Sequence, residues 1–303
     1  MQDTVPSRSS LYQSVTDKIL EAMKGELRAF KMPWHTGDQA AQIPRNAFTH
    51  APYRGINVLS LWIDAMWRGY PSGHWASYRQ WQEIGAQVRK GEKGSHIVFY
   101  KPLERDVPFP EGEEAEAPRF VLRSYAVFNG AQVEGWMPPD LPQEAAFDPN
   151  READAFVSAT GARIRHGFHR ACYRRDLDDI EMPSPAWFTG SPTSSPLQAY
   201  YGVLLHELTH WSGASHRLAR DFGKRFGDDA YAFEELVAEL GAAFLCAELG
   251  IANEPRPDHA VYLASWLKVL EKDPRAIFLA ASKAQEAAEY LAAEANALTK
   301  ASD

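Results

Sequence analysis

The segment HELTHWSGASH, which begins at His206, sets two imidazoles four residues apart with a carboxylate directly after the first. On a helix, His206 and His210 lie one turn apart on one face and can converge on a single ion, while Glu207 points beside them towards bound water. Two imidazoles and one further ligand leave a coordination position open. Water held there has its pKa lowered towards neutrality, and Glu207 can take its proton as general base. The chemistry expected is metal-assisted hydrolysis, with zinc as the ion and another divalent ion such as Mn2+ as the alternative.

The third ligand is the open choice. The longer pattern HExxHxxGxxH would make it His216, but that arrangement also needs a Met-turn downstream, and the last methionine of the chain is Met182. The other source is YAFEELVAELGAAFL, where Glu235 and Glu239 stand four residues apart on one helical face. Glu235 is the expected ligand, with Glu239 holding a ligand histidine from behind, and His216, Glu234 and Glu239 stay as alternatives for the third position. Tyr231, His216 and Arg217 are candidates to face a developing oxyanion.

These residues need helices to hold them. From 197 onward the pattern is helical: one helix carries HELTH, a second spans about 231–249, and at least two more fill the C-terminus. Ahead of them come a helix near 151–160, strand candidates ARIRHG and RACYRR, and a Pro-rich stretch. The first part of the chain reads as helices at 11–30, 55–68 and 77–85. VRKGEKGSHIVFYKP then reads as strand, turn and strand, and FVLRSYAVFNG as a strand able to pair with HIVFY. The acidic, Pro-rich 102–119 is expected to be a surface loop, and MPPDLPQEAAFDPN a linker. The fold class is therefore α+β in two domains: an N-terminal α+β domain over 1–136, and a mainly helical domain over 137–303. At 303 residues and 45% apolar composition, the length allows two ordinary cores.

Composition narrows the function classes. No apolar run approaches membrane-spanning length and the N-terminus lacks the signal-peptide pattern, so a soluble, cytoplasmic protein with no membrane partner is expected. Cys172 and Cys246 are too few for a disulfide framework and read as core residues. Neither GxxxxGK[ST] nor GxGxxG occurs, which removes support for a nucleotide-driven motor or a dehydrogenase. The net charge of −8 hides an asymmetry: residues 1–105 carry 14 Lys+Arg against 9 Asp+Glu, and the rest 18 against 31. A polyanion would be attracted to the first third and repelled by the remainder.

Several long blocks occur together in order: PRNAFTHAPYRGINVLSLW, ASYRQWQEIGAQVRKGEKGSHIVFY, YAVFNGAQVEG, DDIEMP, HELTHWSGASHRLAR and YAFEELVAELGAAFL. In these the chain resembles the ArdC-type antirestriction proteins of conjugative plasmids over nearly its whole length. The resemblance implies an N-terminal single-stranded-DNA-binding domain, a C-terminal zincin-like metallopeptidase domain, and protection of plasmid DNA from host restriction. A cytosolic zinc metalloprotease acting on a regulatory protein, with the N-terminal domain recognising that substrate, is the alternative.

A single strand needs cations for its phosphates and flat faces for its bases, and the basic third interleaves both. Arg45, Tyr53 and Arg54 precede the second helix; Trp75, Tyr78, Arg79 and Trp81 fall together. Arg89, Lys90 and Lys93 flank a turn whose Gly91 and Gly94 would let phosphates approach the backbone. Trp62 and Trp67 are expected in the core.

Overall fold

The structure is a computed structural model that describes residues 8–26, 42–102, 120–138, 149–190, 194–223, 229–251 and 259–302. Helix α1 (Arg8–Glu26) turns Tyr12, Val15, Ile19, Leu20 and Met23 inward, the stripe that its apolar spacing dictates. Helix α2 (Ile56–Arg68) is buried without a break from Val58 to Asp64, and stops at Gly69, whose φ of 65° supplies the left-handed cap. Short α3 (Tyr78–Glu83) starts on a capping box between Ser77 and Gln80.

A four-stranded sheet joins these helices, formed by β1 (Arg45–Asn46), β2 (His74–Ala76), β4 (Ser95–Pro102) and β5 (Phe120–Asn129) in the order β1-β2-β5-β4. Strands β4 and β5 pair antiparallel from Ser95↔Val127 to Pro102↔Phe120, as the sequence pattern predicts. The outer edge of β4 is covered by α2: Asn57 Nδ2 donates to Val98 O at 2.9 Å, and Val98 N–H donates back to Asn57 Oδ1 at 2.8 Å. Strand β3 (Gln87–Val88) does not continue into a hairpin with β4. It pairs with β6 (Val133–Glu134), so the basic turn bridges two different sheets.

Next come α4 (Pro149–Ala159) and a second sheet of β7 (Arg163–His166), β9 (Asp179–Met182) and β8 (Cys172–Arg174), with β8 at one edge. DDIEMP supplies β9, a strand that weak local periodicity hid. Four helices complete the chain: α5 (Pro196–Ser212), α6 (Asp229–Glu248), α7 (His259–Lys272) and α8 (Ala276–Ser302). Of the acidic loop expected over 102–119, Pro102 is the last residue of β4 and the rest, with most of the linker, lies outside the described residues.

Two sequence units do not make two cores. Among the described residues one apolar cluster runs from Tyr12, Ile19, Leu59 and Trp62 through Leu208, Phe244 and Trp266 to Ala281, and only a small satellite around Trp81, Val88 and Val133 stands apart. Helix α1 is the hinge of this continuity. The Tyr12 ring packs edge-on against Phe278 with centroids 4.7 Å apart, and Thr16 Oγ1 donates to Pro274 O at 2.6 Å. Trp62 of α2 faces Phe244 of α6 at 6.0 Å. Among the described residues no helix is long and apolar enough to cross a membrane.

Candidate metal centre

Ser195 and Gln198 form a capping box at the start of α5, Pro196 fits its first turn, and the helix is buried from Leu204 to Ser212. Helix α6 is buried from Glu234 to Cys246. The two cross where Gly241 faces Thr209: a Cβ on Gly241 would stand 2.5 Å from Thr209 Cγ2, so this close approach requires glycine. That crossing brings HELTH against FEELVAE.

His206 Nε2 lies 3.6 Å from Glu235 Oε2, and His210 Nε2 lies 3.5 Å from Glu235 Oε1. Both imidazoles thus present the same nitrogen to one carboxylate, and the three donors all fall within 4.8 Å of one another. Two donors bound at about 2.0–2.1 Å with tetrahedral angles stand about 3.3–3.4 Å apart; both histidine–carboxylate distances are within a few tenths of an ångström of that, and the donor types suit one divalent ion of zinc size. The other nitrogens face outward to further carboxylates. His210 Nδ1 is 3.1 Å from Glu234 Oε1, and His206 Nδ1 is 3.8 Å from Glu239 Oε2. Each imidazole has an acid behind it, but only Glu234 is within hydrogen-bond reach, an arrangement that fixes the His210 ring and raises its basicity as a ligand.

Charge argues in the same direction. Glu207, Glu234, Glu235 and Glu239 are all buried within two turns of helix on either side, and carboxylates removed from water need compensating positive charge. Arg220 compensates Glu234, with Nη2 2.9 Å from Oε1 and Nε 3.0 Å from Oε2. In the metal-free protein a proton compensates Glu235. Burial opposes a charge on His210, but Glu234 and Glu235 outweigh it and push that imidazole up to about 10. Burial likewise opposes a charge on Glu235, yet the two histidines hold its carboxyl far below the usual range.

The chain does turn back after the glycine of the motif, but it does not bring His216 to the donors. His216 Nε2 lies 3.3 Å from Asp178 Oδ2 on the surface, and the group able to hold an ion among the described residues is His206, His210 and Glu235. What returns is Arg220, which donates to Thr209 O and lies over Gly213, where a Cβ would stand 2.7 Å from Nη2. Gly213 is therefore there for space, since its φ of −82° is open to any residue. Arg217 is committed to Asp178 at 2.7 Å and stacks on the Trp211 ring at 3.5 Å, while Tyr231 is half-buried on α6. Glu207 is fixed too: its Oε2 accepts from the Tyr173 N–H of edge strand β8 at 2.9 Å. Sequence reasoning missed Glu234 as the partner of His210, and missed Arg220, Tyr173 and Asp178 altogether. The one signal for Glu234 is its place beside Glu235 in an otherwise apolar helix. Of the two cysteines, Cys246 is buried, but Cys172 is half-buried on β8 and not a core residue.

The nucleic-acid candidates divide sharply. Trp75 and Trp81 are 1% and 0% exposed, and Trp81 Nε1 donates to Phe128 O at 3.0 Å. Tyr53 is buried with its hydroxyl between Asn46 and the Trp75 carbonyl. These three rings pack the interior and offer no face to a base, which corrects their expected role. Tyr78 stays available, 45% exposed. Trp67, expected in the core, is 47% exposed in the last turn of α2, while Ala65 and Tyr70 on either side of it pack against the core. Arg45 and Arg54 are exposed, but Arg54 Nη1 pairs with Glu289 at 2.7 Å. Arg79 pairs with Glu83. Arg89 is bound to Glu92 at 2.8 Å and to Ala131 O at 2.6 Å, so it braces the basic turn from within. Lys90 and Lys93 are exposed on that turn; Gly91 adopts a φ of 88°, Gly94 does not need a positive φ.

Residues 9–128 match the N-terminal domain of anti-restriction factor ArdC, and residues 151–283 match the zincin-like metallopeptidases. The expected division at Trp136 falls in the interval that neither match covers. The chain is 44% identical to an uncharacterized protein, y4eC, of Sinorhizobium fredii, covering 96% of this chain and 94% of that one. It is 34% identical to the DNA primase TraC of Escherichia coli over 94% of its own length but only 27% of TraC. Among solved structures, the antirestriction protein ArdC of plasmid R388 superposes with a TM-score of 0.77 in its metal-free form, at 40% identity, covering 95% of this chain and 98% of that one. Its Mn(II)-bound form gives 0.75, covering 94% and 98%.

Proposed function

The chain belongs to the ArdC family of antirestriction proteins, and from that membership we propose that it binds single-stranded DNA and protects incoming plasmid DNA from host restriction. What supports this reading is a separation within one molecule. Lys90 and Lys93 stand exposed in the unit similar to the ArdC N-terminal domain, while the His–His–Glu donors lie buried in the other.

In the same reading His206, His210 and Glu235 hold one divalent ion, zinc or alternatively Mn2+, and Glu207 is the catalytic base. Such an ion, when bound, polarises a carbonyl and makes water a nucleophile near neutral pH. The chain's own contribution is positional. Glu234 orients the His210 imidazole, Glu239 sets a carboxylate behind His206, Tyr173 N–H aims the Glu207 carboxylate, and burial of α5 and α6 excludes bulk water from the donors. This built centre favours the competing reading, a cytosolic metalloprotease with a regulatory protein as substrate.

A mating assay decides between the two. Under the DNA-binding reading, Glu207→Gln still protects an incoming plasmid and Lys90→Ala with Lys93→Ala does not. Protection lost with Glu207→Gln, at unchanged stability and unchanged DNA affinity, would make peptide hydrolysis the operative chemistry.

A further inference from the structure

Helix α2 is interior from Val58 to Asp64 and then emerges, exposing Met66, Trp67 and Arg68 in its last turn before Gly69 ends it. Trp67 is 47% exposed there, on a helix anchored by buried Leu59, Leu61 and Ile63. Its neighbour ties this turn to the basic loop: Arg68 Nη1 donates to Lys93 O at 2.6 Å. The same carbonyl accepts from Gln132 Nε2 at 3.0 Å, so the loop is held from two sides. At the far end of the loop, Gln87 Nε2 donates to the Tyr78 hydroxyl at 2.8 Å. Arg68, next to exposed Trp67 in the last turn of α2, therefore meets one end of a braced turn and exposed Tyr78 the other, and the turn itself carries Arg89, Lys90 and Lys93. Its single acid, Glu92, is occupied by Arg89 and by Gln132.

We infer that Trp67 and Arg68, with this turn, form the seat for single-stranded DNA, Trp67 stacking an unpaired base and Arg68 bearing on a phosphate. The inference rests on the single-strand reading above and gives it a place. Stacking needs an exposed ring, which Trp75 and Trp81 lack and Trp67 has; phosphate needs cations beyond those neutralised within the fold, and with Arg89 paired to Glu92 these are Lys90 and Lys93 on the turn, joined by Arg68 from α2. Excess positive charge next to an exposed ring fits a single strand better than a protein surface, whose apolar contact would meet Arg68, Lys90 and Lys93.

The test measures anisotropy of a labelled oligo-dT with the full chain across a salt series. Trp67→Ala should weaken binding about tenfold or more at unchanged salt slope, since stacking releases no counterions, and Trp67→Phe should stay within about threefold of the unaltered protein. Arg68→Ala should lower the slope of log affinity on log salt by about 0.7. Trp187→Ala, an exposed tryptophan in the metallopeptidase unit, should change nothing. Thermal midpoints within a few degrees of the unaltered chain exclude misfolding. If the unaltered chain binds and Trp67→Ala binds equally well, the seat is elsewhere and the single-strand reading survives; if the unaltered chain does not bind oligo-dT, that reading and this inference fall together.

Discussion

Glu234 stands 3.1 Å behind His210 and is gripped from its other side by Arg220 at 2.9 Å, so the second histidine of HELTH is oriented by an ion pair and not by an isolated acid. Glu239 stands 3.8 Å behind His206, beyond hydrogen-bond reach. Removal of Glu234 should therefore cost more than removal of Glu239. We expect Glu234→Gln to weaken divalent-ion affinity by about 10–100-fold, and Glu239→Gln by less, in competition titrations with a chromogenic chelator. Equal losses would mean that the Arg220 pair adds nothing to the orientation of His210.

One ion per chain is expected by elemental analysis, lost in His206→Ala and in Glu235→Ala but retained in His216→Ala, whose imidazole pairs with Asp178 at the surface. Chelation should lower the thermal midpoint, because the ion binds the folded chain and not the unfolded one. Full occupancy in Glu235→Ala would remove Glu235 from the donor set.

Metal binding should release a proton at mildly alkaline pH. His210 in the metal-free protein is raised to about 10, and the ion takes the nitrogen that carries the proton shared with Glu235. Proton retention of this kind stabilises the metal-free fold fully below the ordinary imidazole value of about 6.5, and the stabilisation fades as pH rises through about 10. Ion affinity runs the other way, climbing by about one logarithmic unit per pH unit between pH 7 and 9. Calorimetry in buffers of different ionisation enthalpy at pH 8 should count about one proton per ion; an imidazole of ordinary pKa would give almost none.

The α5–α6 crossing should tolerate no side chain at Gly241. Gly241→Ala puts a methyl 2.5 Å from Thr209 Cγ2 in a region with no room to relax, so we expect a loss of about 1–3 kcal/mol by urea unfolding. Thr209→Ala in the same chain should recover much of it, and a double-mutant cycle gives the coupling. Additive losses would show that the two helices can move apart freely.

A chain ending after Trp136 should not fold as a stable unit. It would expose Tyr12, which packs against α8, and Trp62, which packs against α6, and would keep only the satellite cluster around Trp81 complete. Dye binding to exposed apolar surface and the absence of a cooperative thermal transition would check this; a sharp transition like that of the full chain would refute it.

The local part of this protein is legible in its sequence because local periodicity is a local property. Spacing of four puts His206 and His210 on one helical face whatever surrounds them, and the same spacing links Glu235 to Glu239; the helices over Ile56–Arg68 and Pro196–Ser212 and the β4–β5 pairing follow from apolar period and turn residues. Which of several equivalent residues meets which partner is a tertiary matter. Glu234 and Glu235 differ by 100° around α6, and only the approach of α5 at Gly241 turns one towards the Nε2 atoms and the other towards His210 Nδ1 and Arg220. An aromatic residue in a basic segment suits a core and a base platform equally well. Burial decided it, sending Trp75 and Trp81 inside and leaving Trp67 half-exposed in the last turn of its helix. Composition gives the number of sequence units but not how their apolar faces are shared: α1 belongs to the first unit by sequence and packs on the last helices by contact, because their complementary apolar faces bury more together than apart.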